Sequence, residues 1–241
     1  MRWGTWKKTG GFGGRHPHVD GFLDDVFRYA ARLNGLCYAE WGDDLLEADY
    51  PLRHPERCWT GLVAAALAAK NPCFMGEMPV KRAVKKSTPA QREESNGRAD
   101  YWTYVDGHGA QGSDVALELK WHHLNSRGNS KERRDIANQW AVVAGQANSA
   151  LGHMKRSKGE FEKPVAVAIL ALFVYEISHD VEGKMGRADS DELITDILAK
   201  QIKQPDLWRG TWYPPGGAAI LRHEKGFERC PAIYFLAQSY A

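Results

Sequence analysis

Three charged residues stand in two neighbouring segments that have the composition of β-strands. Asp100 lies in RADYWTYV, and Glu118 and Lys120 lie in DVALELKW, with a Gly-rich stretch between the two segments. Side chains on a strand alternate between its faces, so Glu118 and Lys120 share one face. If the segments pair as a hairpin, Asp100 comes to lie beside both of them. The sequence therefore predicts two carboxylates and one ammonium group at a single place on a sheet.

This combination of side chains has a chemical use. Two carboxylates that converge repel each other unless a cation lies between them. Oxygen ligands from Asp100 and Glu118, with the backbone carbonyl of Leu119, suit Mg²⁺, which binds few carboxylates and keeps several waters. A lysine such as Lys120 can hold a water molecule or stabilise negative charge on a phosphate. We therefore expect Mg²⁺, or Mn²⁺ in its place, to assist the attack of water on a phosphodiester.

A simpler interpretation of the three charges stays open. Two exposed strands often carry charges that pair across the strands and contribute little to stability. The apolar residues Leu117 and Leu119 instead indicate a strand inside the sheet, where a charged side chain is costly unless it has a partner or a function. The site interpretation is therefore favoured.

Hydrophobic periodicity and turn residues predict the elements that would hold these side chains. Residues 1–19 are predicted to be a basic, Gly-rich arm without regular structure, and Asn34 and Gly35 are predicted to end the first helix. We predict helices at 20–34, 56–70, 132–154 and 189–204, and strands at 73–84, 99–106, 114–122, 165–177, 218–224 and 232–240. Segments 107–113 and 206–217 are predicted to be loops. The order predicts an α/β fold, one mixed sheet flanked by helices, in a single domain, 20–241.

The same residues resemble the signature of a known family. Asp100 in RADYW and the triplet Glu118–Leu119–Lys120 are similar to the motif of the PD-(D/E)XK nuclease superfamily, although Ala99 stands where the family name has a proline. The resemblance covers about residues 55–177, where the predicted α-β-β-β-α-β order is that of a restriction-endonuclease-like core, followed here by extra C-terminal strands. It implies a Mg²⁺-dependent deoxyribonuclease in which Asp100 and Glu118 hold the metal and Lys120 takes part in catalysis.

The resemblance also implies residues around the site. The family commonly has an acid on the helix before the sheet, which is Glu56 here, although Glu56 equally suits the positive end of a helix. Some members carry a glutamine on the helix after the lysine strand, for which Gln139 is the nearest candidate and Gln146 the next. Glu77 is expected to form a surface ion pair. Contacts to nucleic acid are expected from Gln139, His122, Arg127 and Lys131.

Composition limits the other classes of function. The 241 residues carry a formal net charge of +2, so the total charge favours no particular partner. The four cysteines lack the spacing of a zinc site, and the Gly-rich segments lack the lysine of a P-loop. The longest apolar run, 164–174, is too short for a membrane helix, and the N-terminus has no apolar signal segment. We expect a cytoplasmic protein that binds DNA rather than RNA and has no membrane association.

Two other classes of protein remain compatible with these patterns. The same fold can serve without catalysis, as a nucleic-acid-binding or protein-interaction subunit. An unrelated α/β interaction protein can carry the Glu118–Leu119–Lys120 triplet by chance. A homodimer, or a partner protein from a defence system or mobile element, also fits the resemblance.

Overall fold

Helices and strands account for most of the residues that the computed structural model describes, which are 3–41, 56–71, 73–83, 94–107, 110–128, 130–157, 159–179, 185–204, 206–223 and 226–241. The described helices are α1 (Pro17–Trp41), α2 (Glu56–Lys70), α3 (Ser130–Arg156) and α4 (Arg187–Ile197), the last continued by a π-helical turn, Leu198–Ile202. The described strands are β1 (Thr5–Thr9), β2 (Phe74–Ala83), β3 (Glu94–Gly107), β4 (Ala110–Asn125), β5 (Val165–Ser178), β6 (Trp208–Tyr213), β7 (Ala219–His223) and β8 (Gly226–Tyr240).

One mixed sheet contains all the described strands. Its order is β1-β6-β8-β5-β4-β3-β2, and β7 pairs with the first part of β8. Only β4 and β5 run parallel among the pairs described, from Val115↔Val165 to Asn125↔Tyr175. Residues 165–174 of β5 are all buried, as expected for a strand that is covered on both faces. The predicted α/β class with a single mixed sheet flanked by helices is confirmed.

Each face of the sheet is covered by two of these helices. α1 and α2 pack on one face through residues such as Phe27 and Trp59, and we call this the α1 face. α3 and α4 pack on the other, the α3 face, through residues such as Trp140 and Ile194. Burial of both faces explains why residues 165–174 of β5 are apolar without alternation.

The predictions for the N-terminal arm and for the Trp-rich loop are wrong in part, because both segments contain strands. β1 pairs with β6 from Thr5↔Tyr213 to Thr9↔Arg209, and β6 pairs with β8. Trp208 and Trp212 are fully buried. β1 has few apolar residues and carries Lys7 and Lys8 because it forms the edge of the sheet, where charged side chains are common. Its strand pattern is therefore weak.

The predicted end of the first helix at Asn34 and Gly35 is also wrong, because α1 continues to Trp41. Asn34 is 0% exposed, and a Cβ atom added to Gly35 would collide with the backbone of Trp3. Glycine is needed at this position because the N-terminal segment crosses the helix in close contact. It does not act as a helix terminator here.

The hairpin of β3 and β4 is longer than predicted. Its strands pair as far as Gly107↔Ala110, so residues 107–113 do not form the long loop that their glycines suggest. The remaining predicted elements agree with the structure within a few residues, apart from β8, which begins at Gly226. Within the described residues, no helix combines the length and the apolar character that crossing a membrane requires.

Candidate functional site

Asp100 lies where the backbone pairing of β3 and β4 gives way to a side-chain contact. The antiparallel pairs run from Gly107↔Ala110 to Tyr101↔Leu117. One residue beyond, Asp100 Oδ2 accepts a hydrogen bond from the Leu119 amide nitrogen at 2.7 Å. A carboxylate oxygen thus serves as the acceptor that a backbone carbonyl supplies in a continued ladder. This bond holds the Asp100 carboxylate against the backbone that carries Glu118 and Lys120.

Strands β2 and β3 exchange faces beside Asp100. Phe74 and Tyr101 pack on the α1 face, whereas Met78 and Ala99 pack on the α3 face, although regular alternation would keep all four on one side. Between Phe74 and Met78, the backbone of Glu77 has a φ of 52°, a left-handed value that residues other than glycine rarely adopt. This strained position lies across from Asp100, and strained backbone is common in functional sites.

The side chain of Glu77 takes no part in this exchange of faces. It pairs with Arg98, and the two side chains are 71% and 67% exposed. This is the surface ion pair that the sequence predicts. At such exposure the pair contributes little to stability.

Glu118 is a buried carboxylate on the α3 face. It is 1% exposed, and it alternates with Leu117 and Leu119, which are buried on the α1 face. Lys120 follows on the same face as Glu118 and is half-buried. The interpretation of two exposed, solvated strands is therefore wrong for Glu118. A carboxylate out of water is costly unless cations or hydrogen-bond donors compensate it.

Trp102 borders this carboxylate and is a neighbour that the sequence does not identify. It pairs with Ala116 across the hairpin, so it lies diagonally beside Glu118 on the α3 face. Its indole Nε1 is buried and has no hydrogen-bond partner among the described residues. The alternation of Trp102 with Asp100 in RADYW was the available signal. A buried donor without a hydrogen-bond partner is unusual in a folded protein, and it marks this position next to Glu118.

His122 continues the same face of β4 toward the first turns of α3. Its Nε2 is buried and makes no hydrogen bond with the described residues. Burial lowers the pKa of His122, and the carboxylates of Asp135 and Glu132 oppose that shift. The neutral imidazole that results can accept or donate one hydrogen bond at Nε2. Asp135 and Glu132 are neighbours that sequence reasoning missed, because they lie on a different element.

Tyr101 ties helix α2 to β3 next to Asp100. Its hydroxyl donates a hydrogen bond to the Thr60 carbonyl oxygen at 2.7 Å. Burial and the negative charge of Asp100 raise the pKa of Tyr101 to about 12, so the hydroxyl stays protonated and keeps donating. Thr60 lies one turn after Glu56, the first residue of α2. The Glu56 side chain itself lies outside the described residues, and the bond fixes only the helix that carries it.

The predicted nucleic-acid contacts lie at two levels of the α3 face. Lys131 is exposed in the first turn of α3, and Arg127 is exposed in the turn before it. Arg127 also donates a hydrogen bond to Glu176 Oε1 at 2.6 Å. Gln139 is half-buried two turns further along α3, and Gln146 Oε1 is buried without a hydrogen-bond partner among the described residues. The structure does not bring all of these side chains together at one point.

The residues around Asp100 fit a magnesium ion by their chemistry. Asp100 and Glu118 supply two carboxylates, and Mg²⁺ typically takes one or two while keeping several waters. Glu118 is buried, and a nearby cation would stabilise its negative charge. Within the described part of the chain, no three His, Cys, Asp or Glu side chains converge on one point as a metal site. Among the described side chains, Asp100 and Glu118 are the candidate ligands, with backbone oxygen and water to complete the coordination.

No protein-family model matches this chain, and no curated protein matches it either.

Proposed function

We propose that the protein is a Mg²⁺-dependent nuclease that hydrolyses phosphodiester bonds in DNA. The observation that carries this proposal is the hydrogen bond from the Leu119 amide to Asp100, which holds one carboxylate against the residue that follows the buried Glu118. The succession α2-β2-β3-β4-α3-β5 supports it, because it is the order of a restriction-endonuclease-like core. We assign that core to about residues 55–177, within a domain that spans 20–241.

The roles of the side chains follow from their charges. Asp100 and Glu118, with the Leu119 carbonyl, would hold Mg²⁺, and Mn²⁺ would substitute for it. Such an ion supplies an activated water and neutralises charge on the phosphate. The Lys120 ammonium donates hydrogen bonds to the attacking water or to an oxygen of the scissile phosphate, and so stabilises the charge that develops there. Glu56, at the start of α2, would orient a water.

Contacts with the DNA backbone would come from the end of β4 and from α3. Arg127 and Lys131 are exposed there and would bind phosphates, while Gln139 and His122 would lie nearer the scissile bond. Binding through phosphates displaces counterions, so the affinity should fall steeply as the salt concentration rises.

Cleavage of plasmid DNA and of single-stranded DNA tests the proposal directly. We would compare the wild type with Glu118→Gln and Lys120→Gln in the presence of Mg²⁺ or Mn²⁺, and measure metal binding by calorimetry. We expect each variant to lose activity by about 100-fold or more, as when a single stabilising group is removed from other active sites. Glu192→Gln, at an exposed acid on α4, is the matched control and should cleave like the wild type.

Other results of the same experiments would distinguish the nuclease from the other classes of protein. Undiminished cleavage by Glu118→Gln would show that the assigned site is wrong. DNA binding by a wild type that neither cleaves DNA nor binds the metal would favour a non-catalytic subunit with the same fold. Metal binding that is lost in Glu118→Gln, without cleavage, would support the site and direct the search to another phosphodiester or a missing partner.

A further inference from the structure

A second cluster of chemically active side chains lies at the first turn of α1, next to the segment that leads into β5. A cavity of about 480 Å³ opens between them. Arg15, His16, His18, Ser113 and Lys163 line it, together with Ala241 at the end of the sequence. Pockets of this size hold ligands of nucleotide dimensions.

The ionisable side chains that line this cavity are all basic. Burial lowers the pKa of both His16 and His18. Positive neighbours lower them further: His16 faces His18 and Arg15, and His18 faces Lys163. Cations that repel one another in this way favour a bound anion between them. An anion would restore the basicity of both imidazoles.

The acidic side chains of the neighbouring elements have partners of their own. Asp206 forms an ion pair with the Arg15 guanidinium at 2.9 Å, and Asp20 forms one with the Lys8 ammonium. Asp114 accepts a hydrogen bond from the backbone amide of Glu162. Only the first of these acids touches a side chain that lines the cavity, and that ion pair is exposed, with Arg15 at 70%. An exposed pair of this kind is weak, so Arg15 can exchange it for a ligand in the cavity.

The start of α1 adds backbone donors beside this cavity. α1 begins at Pro17, so the backbone amides of His18 and Val19 have no acceptor within the helix, and the positive end of the helix dipole lies there. The His18 ring is fixed by a hydrogen bond between its Nε2 and Ser113 Oγ at 2.9 Å. Ser113 is 2% exposed, so this anchor is part of the core. The ring is therefore held at the cavity rather than free in solvent.

This cavity is separate from the Asp100 site. Ser113 contacts α1, whereas Glu118 faces α3, on the other side of the sheet. The two residues are five positions apart along β4, which corresponds to roughly 16 Å. Because β4 lies inside the sheet, one phosphate group cannot reach both places.

We propose that the cavity lined by Arg15, His16, His18 and Lys163 is a binding site for the phosphate monoester of a small molecule of nucleotide size. A phosphate dianion can accept hydrogen bonds at once from the guanidinium, the ammonium, an imidazole and backbone amides. The volume leaves space for a sugar or a base beyond the phosphate. The site does not depend on the nuclease activity proposed above.

Calorimetry on the full chain with inorganic phosphate, AMP and a 5′-phosphorylated oligonucleotide tests the site. We expect AMP to bind more tightly than inorganic phosphate, and about tenfold more weakly in Lys163→Gln and in Arg15→Gln, the loss of one charge-assisted hydrogen bond. Lys203→Gln, at an exposed lysine beyond α4, is the control. The affinity for AMP should rise as the pH falls from 8 to 6.5, because the bound anion raises the pKa of His16 and His18, so that binding takes up protons. Over this range a phosphate monoester, whose second pKa is about 6, stays largely dianionic.

Each of the other possible results contradicts a stated part of the proposal. No binding of phosphate or AMP at pH 6.5, or binding that neither variant weakens, overturns the proposal, provided that near-ultraviolet circular dichroism shows both variants folded. An affinity independent of pH overturns the role of the histidines. Binding of the oligonucleotide alone would assign the phosphate to a nucleic-acid end and overturn the small ligand. Because Glu118→Gln should leave AMP binding unchanged, failure of the nuclease proposal is distinguishable from failure of this one.

Discussion

Asp100 has two separable roles at the scale of the single residue. Its carboxylate accepts the Leu119 amide hydrogen bond, which closes the end of the β3–β4 pairing. It also supplies one of the two negative charges of the proposed metal site. The first role needs an oxygen acceptor and the second needs a charge. Substitutions that keep one and remove the other can therefore separate structure from function.

We predict that Asp100→Asn keeps the stability of the wild type within a few tenths of a kcal/mol, because the side-chain amide oxygen still accepts the hydrogen bond from Leu119. Asp100→Ala should lose about 1–3 kcal/mol of stability, because it leaves the backbone amide of Leu119 without an acceptor. Both variants should lose metal-dependent cleavage. Urea unfolding measures the first quantity, and Asp106→Ala, at an exposed acid on the same strand, is the control. Equal destabilisation by asparagine and alanine would show that the hydrogen bond is not what positions Asp100.

At the scale of the element, glycines show what local sequence can and cannot predict. Gly21 and Gly35 both lie inside α1. A Cβ atom on Gly21 would meet open space, whereas one on Gly35 would collide with the Trp3 backbone. From the sequence, Asn34 and Gly35 have the composition of a helix end. The contact that requires glycine comes from a segment more than thirty residues away, which no local pattern contains.

We predict opposite effects for the same substitution at these two positions. Gly21→Ala should stabilise the protein by about 0.5–1 kcal/mol, because alanine favours the helix and meets no neighbour. Gly35→Ala should destabilise it by about 1–3 kcal/mol, because Trp3 must move and β1 with it. Chemical unfolding of both variants measures the difference. Stabilisation by Gly35→Ala would mean that the N-terminal segment does not cross α1 as the structure describes.

Because local patterns contain no information on distant segments, only some parts of the fold and of the site were predictable. Period-two alternation placed Glu118 and Lys120 correctly on one face, and apolar neighbours placed them inside the sheet. β1 and β6 were missed because their pairing residues, such as Thr5 and Tyr213, are about two hundred positions apart. The approach of Trp102 to Glu118 depends on the hairpin register, which is set by the pairing of Trp102 with Ala116. Patterns within one segment are predictable, whereas contacts between segments need the fold.

At the scale of the whole molecule, buried tyrosine hydroxyls join the helical layers to the sheet. On the α3 face, Tyr213 and Tyr234 donate to the Asp191 carboxylate of α4 at 2.8 and 2.7 Å. On the α1 face, Tyr101 donates to Thr60 of α2. Burial raises the pKa of Tyr213 and of Tyr101 to about 12, and it raises that of Tyr234 as well. Both layers therefore depend on hydroxyls that must keep their protons.

This dependence predicts a loss of stability in alkali. The unfolded tyrosines lose protons near pH 10. Between pH 10 and 12, the folded state binds more protons than the unfolded state, so the free energy of unfolding falls as the pH rises. Each retained proton contributes a slope of about 1.4 kcal/mol per pH unit. The stabilisation is complete below pH 10 and lost above about 12, where Tyr213 and Tyr101 ionise in the folded protein.

Urea unfolding from pH 8 to 11.5, compared between the wild type and Tyr213→Phe, measures this slope. The variant removes one titrating hydroxyl, so its free energy of unfolding should fall less steeply above pH 10, while Tyr234 still donates to Asp191. Lysine and arginine titration is common to both proteins and cancels in the difference. Tyr101→Phe should give the same change in slope from the opposite face. Parallel curves for all three proteins would show that these hydroxyls do not hold the helical layers to the sheet.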